Sequence, residues 1–435
     1  MQKMKYSGIE WIGEIPDNWD KIKIKNLCNK IYAGGTPSTD VFEYWDGDIP
    51  WLPSGVCHDN IIHQANIFIT EKGYKNSSTK LIPKNTTIIA MTGATCANVG
   101  YITFDSCANQ SVTAFVNNHN LLFSKYLFYT LQGAREYILT YQTGGAQAGI
   151  NVENCRNLII PITGIKEQKL IADFLDEKID IIDKIIGDLN NQIEILNKYK
   201  KQIITETVTS GLNKNVKFKD SGIDWMGEIP EHWEIKRLKY LGSARNGLTY
   251  EPEDQCDEGM LVLRSSNIQD GKLCLDDNVY VNMKVPKNII LKRNDLLICS
   301  RNGSRNLIGK NILIEDSIEG NTYGAFMCVF RSKYNKYIHY VLNSNIFDHY
   351  LNTFLTSTIN QLTNSNLYSI KIAIPMDIEE QQEIVKYLDD RCQKIDEILN
   401  SKIKQKKQME QYKKSVIYEY VTGKKRVEGA EELYG

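Results

Sequence analysis

A chain of 435 residues with 42% hydrophobic and 24% charged residues is expected to fold as a soluble protein of roughly two to four domains. Its 52 lysines and arginines stand against 53 aspartates and glutamates, a net charge of −1 that excludes a uniformly basic nucleic-acid binder and shifts attention to local charge. No apolar run reaches the roughly 18 residues that a membrane helix needs, so no membrane association is expected.

In chain order, the first twenty residues include Glu10, Glu14, Asp17 and Asp20 and lack the basic start and apolar stretch of a signal peptide, so a cytoplasmic location is expected. Ser7–Trp19 reads SGIEWIGEIPDNW, in which Trp11 and Trp19 flank Gly and Pro residues that fix a turn. These tryptophans are expected to be packing anchors rather than base-stacking platforms. A basic stretch with Lys72, Lys75, Lys80 and Lys84 precedes a β-rich run at Thr86–Met91. The uncharged loop Thr92–Gly100 follows, carrying Thr92, Thr95 and Asn98, and Tyr101–Phe104 reads as the next strand. Tyr126–Leu139 reads as a helix, and QTGGAQAGIN at Gln142–Asn151 as a second Gly- and amide-rich loop containing Gln147.

After Ile160-Pro161 comes a long helical segment. Its apolar residues Leu175, Ile179, Ile182, Ile186, Leu189, Ile193 and Leu196 alternate steps of four and three, the coiled-coil period. A helix of about 40 residues is a rod of roughly 60 Å, longer than a domain core requires.

Ser221–Trp233 then reads SGIDWMGEIPEHW, identical to Ser7–Trp19 at nine of thirteen positions with Trp225 and Trp233 in place. The chain is one unit written twice. Ile374-Pro375 opens a second long helix with Leu388, Cys392, Ile395 and Leu399 in the same register. Lys402 and Lys406 interrupt that seam; they are expected to snorkel or meet acids of the first helix, a contact to a partner subunit being the alternative. Tyr199-Lys200-Lys201 recurs as Tyr412-Lys413-Lys414, and Val208-Thr209 as Val421-Thr422. The interiors share only a skeleton: Asn85–Ile89 resembles Asn294–Ile298, and Lys125–Tyr129 resembles Lys336–Tyr340. Such a pattern suits a constant frame carrying two different recognition surfaces.

In the second interior, Leu296–Ser300 and Asn311–Ile314 read as strands and Tyr337–Leu351 as a helix. The loop between the strands is Arg301-Asn302-Gly303-Ser304-Arg305-Asn306. Arginine offers a fork for guanine O6 and N7, and asparagine pairs with adenine N6 and N7. Lys287, Lys292, Arg293 and Lys310 lie around it, and residues 287–310 hold six basic residues against Asp295 alone. They supply sequence-independent attraction to phosphate. This loop is expected to contact DNA; the bland alternative is a solvated hairpin. Gln361, in the loop Thr356–Asn366, stands 214 positions after Gln147. Either glutamine is expected to read a base edge or to sit in a turn docking its domain.

Catalytic motifs are missing. Thr92–Gly100 lacks the Lys-Ser/Thr of a phosphate loop, no Asn-Pro-Pro-aromatic sequence occurs, and Glu234-Ile235-Lys236 has only Asp20-Lys21-Ile22 opposite it in the first copy. Six histidines and ten cysteines show no metal-ligand spacing or Cys-x-x-Cys pair, so no metal site and reduced thiols are expected.

The paired W-x-G-x-I-P-x-x-W openings (Trp11–Trp19 and Trp225–Trp233) resemble the signature of specificity subunits of type I restriction–modification systems. So do the paired Ile-Pro…Glu-Gln starts of long helices that end near Val-Thr. The resemblance runs from Ser7 to about Gly423. It implies a mixed α/β fold with an internal pseudo-two-fold repeat: two target-recognition domains separated by a pair of long antiparallel coiled-coil helices. The expected segments are 1–160, the first recognition domain; 161–212, the first spacer helix; 213–373, the second domain; 374–425, the second helix; and 426–435, a tail. The family implies a non-catalytic subunit in which each domain reads one half of a split site in double-stranded DNA, while the helices set spacing and dock two modification subunits. Those subunits bind S-adenosylmethionine and methylate adenine; two restriction subunits with ATP and magnesium complete a full system. No cofactor is expected in this chain. The alternatives are a specificity subunit of a methylation system without restriction partners, or a coiled-coil adaptor that binds no DNA.

Overall fold

The structure is a computed structural model that describes residues 3–145, 148–269, 271–355 and 360–428. Two compact units divide it, Met1–Asn190 with Lys404–Gly435, and Asn191–Ile403. Each unit thus holds one interior of the repeat and a part of each of two long helices, Ile165–Ser210 and Ile378–Val421. Both long helices are thereby divided between the units.

The unit-1 sheet has the order Cys28–Ala33, Val112–Asn117, Thr86–Ala90, Val99–Ile102, Asn60–Ile62, antiparallel except for the last pair. In unit 2 the order Ser243–Asn246, Met327–Arg331, Leu296–Cys299, Asn311–Leu313 repeats its first four strands, all antiparallel. The strand Thr86–Ala90 is buried throughout, as is Leu296–Cys299, which is why both read as short continuous apolar runs. The same frame underlies two diverged interiors. The helices expected at Tyr126–Leu139 and Tyr337–Leu351 are each broken in two. The first gives Ser124–Gly133 and Arg135–Leu139. The second gives Asn335–Val341 and Asn345–Phe354, because the Ser344 side chain accepts the Ile346 N–H and caps a new helix start.

The repeated motifs are one set of contacts made twice. Trp19 is buried and its indole N–H donates to Glu167 at 3.1 Å; Trp233 is buried and donates to Glu380 at 2.9 Å. This pairs the signature with the Glu-Gln helix start. The neighbouring Gln168 amide donates to the Thr163 carbonyl at 2.7 Å, and Gln381 to that of Pro375 at 2.6 Å, which ties each helix start to the chain before it. The Tyr126 hydroxyl lies 3.0 Å from the Pro161 carbonyl and 3.1 Å from that of Val421. Its counterpart Tyr337 lies 2.9 Å from the Ala373 carbonyl and 3.0 Å from that of Val208. Each interior is therefore strapped to the end of the other copy's helix, and that is where the Val-Thr repeats fall. Beyond those ends, Gly211 and Gly423 adopt φ of +67° and +69°, closing the helices in the left-handed region. A Cβ on Gly423 would stand 2.6 Å from Pro16, and one on Gly211 3.1 Å from Trp233.

Within unit 1 the helix segments run antiparallel: Phe174 meets Tyr420 with ring centroids 4.5 Å apart, and further along Lys413 donates to Asp183 at 2.6 Å. Within unit 2, Lys200 pairs with Asp396 at 2.6 Å while Gly211, one helix end, lies beside Glu380 at the start of the other. Leu175, Ile179, Ile182, Leu388, Cys392, Ile395 and Leu399 are buried, as the heptad requires. Lys402 and Lys406 are half-buried, and Lys406 lies 3.8 Å from Glu410 of its own helix rather than an acid of the other. No described helix is long and apolar enough to cross a membrane.

Candidate nucleic-acid interface

In unit 2 the loop Arg301–Gly309 links the hydrogen-bonded strands Leu296–Cys299 and Asn311–Leu313. Its start is fixed by one acceptor: the Phe326 carbonyl takes the N–H of Ser300 at 3.0 Å, the N–H of Arg301 at 3.1 Å and the Ser300 hydroxyl at 2.9 Å. With its carbonyl so used, the Phe326 ring is turned outward, 59% exposed. The Arg301 guanidinium lies over that ring at 5.2 Å, which restrains its plane while leaving its N–H groups free to donate. The second amide loop arrives at the same place: Arg301 bridges Gln361, and Leu362 N–H donates to the Ser300 carbonyl at 2.8 Å. Ser265, Arg301, Asn302, Gly303, Phe326, Asn360 and Gln361 line a cavity of about 680 Å³. Sequence spacing gave Arg301, Asn302 and Gln361 as candidates; the fold brings them together across sixty residues.

Around this cavity the other candidates differ in availability. Asn302 is part-buried; its amide donates to the Ser265 hydroxyl at 3.0 Å and its oxygen accepts the Ser304 N–H at 2.9 Å, shaping the turn. Ser304, Arg305 and Asn306 are exposed, with Arg305 3.4 Å from the Asn352 side chain. Lys310 donates to the Ile268 carbonyl at 2.6 Å and is held against the protein. Arg293 pairs with Asp316 at 3.2 Å, so its charge is partly answered. Lys287 and Lys292 are exposed, with no side-chain partner among the described residues. Thr356 to Ile359, from the expected second loop, lie outside the described residues.

The far end of the loop rests on a polar knot. Asn311 donates to the Gly309 carbonyl at 3.1 Å, and its side-chain oxygen lies 2.9 Å from the His339 ring nitrogen. Burial lowers the His339 pKa from 6.5 to about 4, so the ring is neutral at pH 7.

Unit 1 places its loop identically and gives it other chemistry. Thr92–Asn98 joins the equivalent strands, and Thr92 bridges Gly149 of the second amide loop, with Ile150 N–H donating to the Met91 carbonyl at 2.8 Å. Thr92 and Thr95 are part-exposed. Asn98 is buried and its amide donates to the Cys57 carbonyl at 3.0 Å; it braces the loop and does not face solvent, correcting its expected place among base contacts. Asp59 braces it too, accepting the Val99 N–H at 2.9 Å and pairing with Arg135 at 3.0 Å. Gln147 lies outside the described residues. The expected basic approach is largely paired: Lys72 with Glu43, and Lys75 with Glu71 at 3.0 Å. Lys80 lies over the Tyr32 ring at 5.4 Å, and Lys84 is exposed.

Sequence reasoning missed Phe326. The run Tyr323–Phe330 is apolar throughout, and nothing in it separates the outward Phe326 from the buried Phe330. The repeat holds the one available signal, since the position aligned with Phe326 just before the equivalent strand is Ser111. Among the described residues no cluster of three or more His, Cys, Asp or Glu side chains is placed to hold a metal ion.

A family profile described as the type I restriction modification DNA specificity domain matches residues 16–195 and again 230–409. The MjaVIII type I restriction enzyme specificity subunit of Methanocaldococcus jannaschii is 27% identical over 426 residues, 95% of this chain and 94% of that protein. The EcoR124I/EcoR124II specificity subunit of Escherichia coli is 31% identical over 175 residues, 39% of this chain and 43% of that one. A chain from a structural study of complex assembly and conformational transition in the type I R-M system superposes with a TM-score of 0.68 at 14% identity, covering 94% of this chain and 98% of that chain. Two copies of one frame, each carrying a differently furnished loop pair, are what those two profile matches span, and the chain belongs to the type I restriction modification DNA specificity family.

Proposed function

We propose that this chain is the DNA-reading, non-catalytic subunit of a type I restriction–modification complex, with each unit reading one half of a bipartite site. The observation that carries the reading is the same loop pair, on the same sheet, holding Arg301, Phe326 and Gln361 in unit 2 and Thr92, Thr95 and Ser111 in unit 1. One frame with two chemistries gives two half-sites of different sequence. In unit 2, Arg301 donates to a guanine edge, Gln361 matches an adenine edge, and Phe326 offers apolar contact to a thymine methyl. Lys287 and Lys292 hold phosphates. The long helices set the gap between half-sites and dock two modification subunits. Those subunits carry S-adenosylmethionine, and restriction subunits with ATP and magnesium act from the same assembly, in the cytoplasm.

The test is a pair of substitutions in the complex with modification subunits. Arg301→Ala costs about 1–3 kcal/mol of binding and relaxes one position of one half-site, whereas Lys292→Ala weakens binding to all sequences alike. An Arg301→Ala complex that keeps its affinity and methylation pattern shows that this loop does not read DNA.

A further inference from the structure

Beyond the reading loops, each unit carries a second concave surface. In unit 2 a cleft of about 920 Å³ is lined by Lys236, Arg237, Tyr240, Lys333, Tyr334 and Lys371, together with the apolar Ile235, Leu241 and Met376. It holds four cations and no carboxylate. Lys236 is answered by Glu234 at 2.6 Å, but Arg237, Lys333 and Lys371 have no ion-pair partner among the described residues. Lys333 lies over the Tyr334 ring at 4.9 Å, and Lys239, just outside, over the Tyr240 ring at 4.6 Å. Tyr240 is 70% exposed.

Unit 1 has a cleft of the same character beside the equivalent short turn (Ile24–Asn26, against Leu238–Tyr240). It measures about 610 Å³, and Lys25, Lys30, Lys80 and Arg156 line it with the half-buried Tyr32 and Tyr74. Arg156 is answered by Glu153 at 3.8 Å, while Lys25, Lys30 and Lys80 have no ion-pair partner among the described residues. Lys25, which lines it, is the counterpart in the repeat of Lys239, which lies outside the unit-2 cleft, so the two clefts share a neighbourhood and a charge rather than their lining positions.

We infer that these clefts bind the phosphodiester backbone of the DNA on which the loops read bases, an inference that rests on the proposed reading function. A feature of one chemistry in both units cannot encode two different half-sites, so its ligand is the sequence-independent part of DNA. Lysine is depleted in protein–protein interfaces, while a patch of uncompensated cations is the electrostatic footprint of a nucleic-acid surface. In unit 2 the cleft adjoins the Arg331 end of the strand Met327–Arg331, and Phe326 precedes its other end. Five residues of strand span about 17 Å. That equals about five base-pair steps, a separation within the length of one short duplex.

The test compares the full-length wild-type chain with Arg237→Gln/Lys333→Gln/Lys371→Gln, measuring affinity for a labelled duplex of arbitrary sequence across a salt series. The charge-retaining Arg237→Lys/Lys333→Arg/Lys371→Arg chain controls for folding. Each lost phosphate contact lowers the slope of log K against log salt by about 0.9, so the neutral variant is expected to lose about 2 to 3 and the charge-retaining one nothing. With modification subunits present, the neutral variant methylates the same sequence as wild type. An unchanged slope overturns the inference. So does an unchanged slope with lost co-purification of the modification subunits, which makes the cleft a protein-docking surface. Failure of the wild-type complex to bind any duplex overturns the reading function itself, a result separable from one confined to the variant.

Discussion

Asn85 and Asn294 open equivalent strands with φ near +61°, a conformation that asparagine tolerates far better than branched residues. Their recurrence in two otherwise diverged interiors was visible in the sequence, and the backbone supplies its reason. His339 is the opposite case, a residue in which the copies differ, since Phe128 holds the matching position in unit 1. Neutral in the fold, His339 props Asn311 and through it the end of the unit-2 loop. A histidine with a folded pKa near 4 and an unfolded value near 6.5 contributes stability that is complete above pH 6.5 and lost as pH falls toward 4. The loss reaches about 3 kcal/mol at most, at about 1.4 kcal/mol per pH unit. Denaturant melts of wild type and His339→Phe across that window are therefore expected to converge as pH falls. Parallel curves would show that His339 titrates normally.

The two long helices were legible as coiled-coil rods, because a seam of alternating four- and three-residue steps has no other use over that length. Their division between units was not legible. The heptad says which face is buried and not which neighbour buries it. Val416, Ile417 and Val421, late in the second helix, are buried in the core of unit 1, the unit whose own sequence begins four hundred residues earlier. Ile204 and Val208, late in the first helix, are buried in unit 2. Tyr126 and Tyr337 close the straps. A chain ending before Val416 loses four buried aliphatic side chains from unit 1, Val416, Ile417, Val421 and Val427, at about 1.5–3 kcal/mol each. Hydrogen exchange is expected to show lost protection in Thr86–Ala90 and Val112–Asn117 while Leu296–Cys299 stays protected. Equal loss in both units would contradict this assignment of the helix ends.

At the scale of the whole chain, duplication was the most readable feature, since nine of thirteen signature residues recur and the profile matches fall once on each copy. The candidate site was legible only in part. Loop residues acquire their role from whichever other loop they meet, and Arg301 meets Gln361 and Phe326 only after the sheet has formed. The separation of frame from reading surface is the central claim, and adenine-methylation mapping tests it most directly. The block Leu238–Ile372 is replaced by the matching block of another family member, the chimera is expressed with its modification subunits, and methylated sites are sequenced. The predicted result is a bipartite site with one half changed, the other half retained and the gap between them unaltered. Changes in both halves, or an altered gap with unchanged halves, would contradict it.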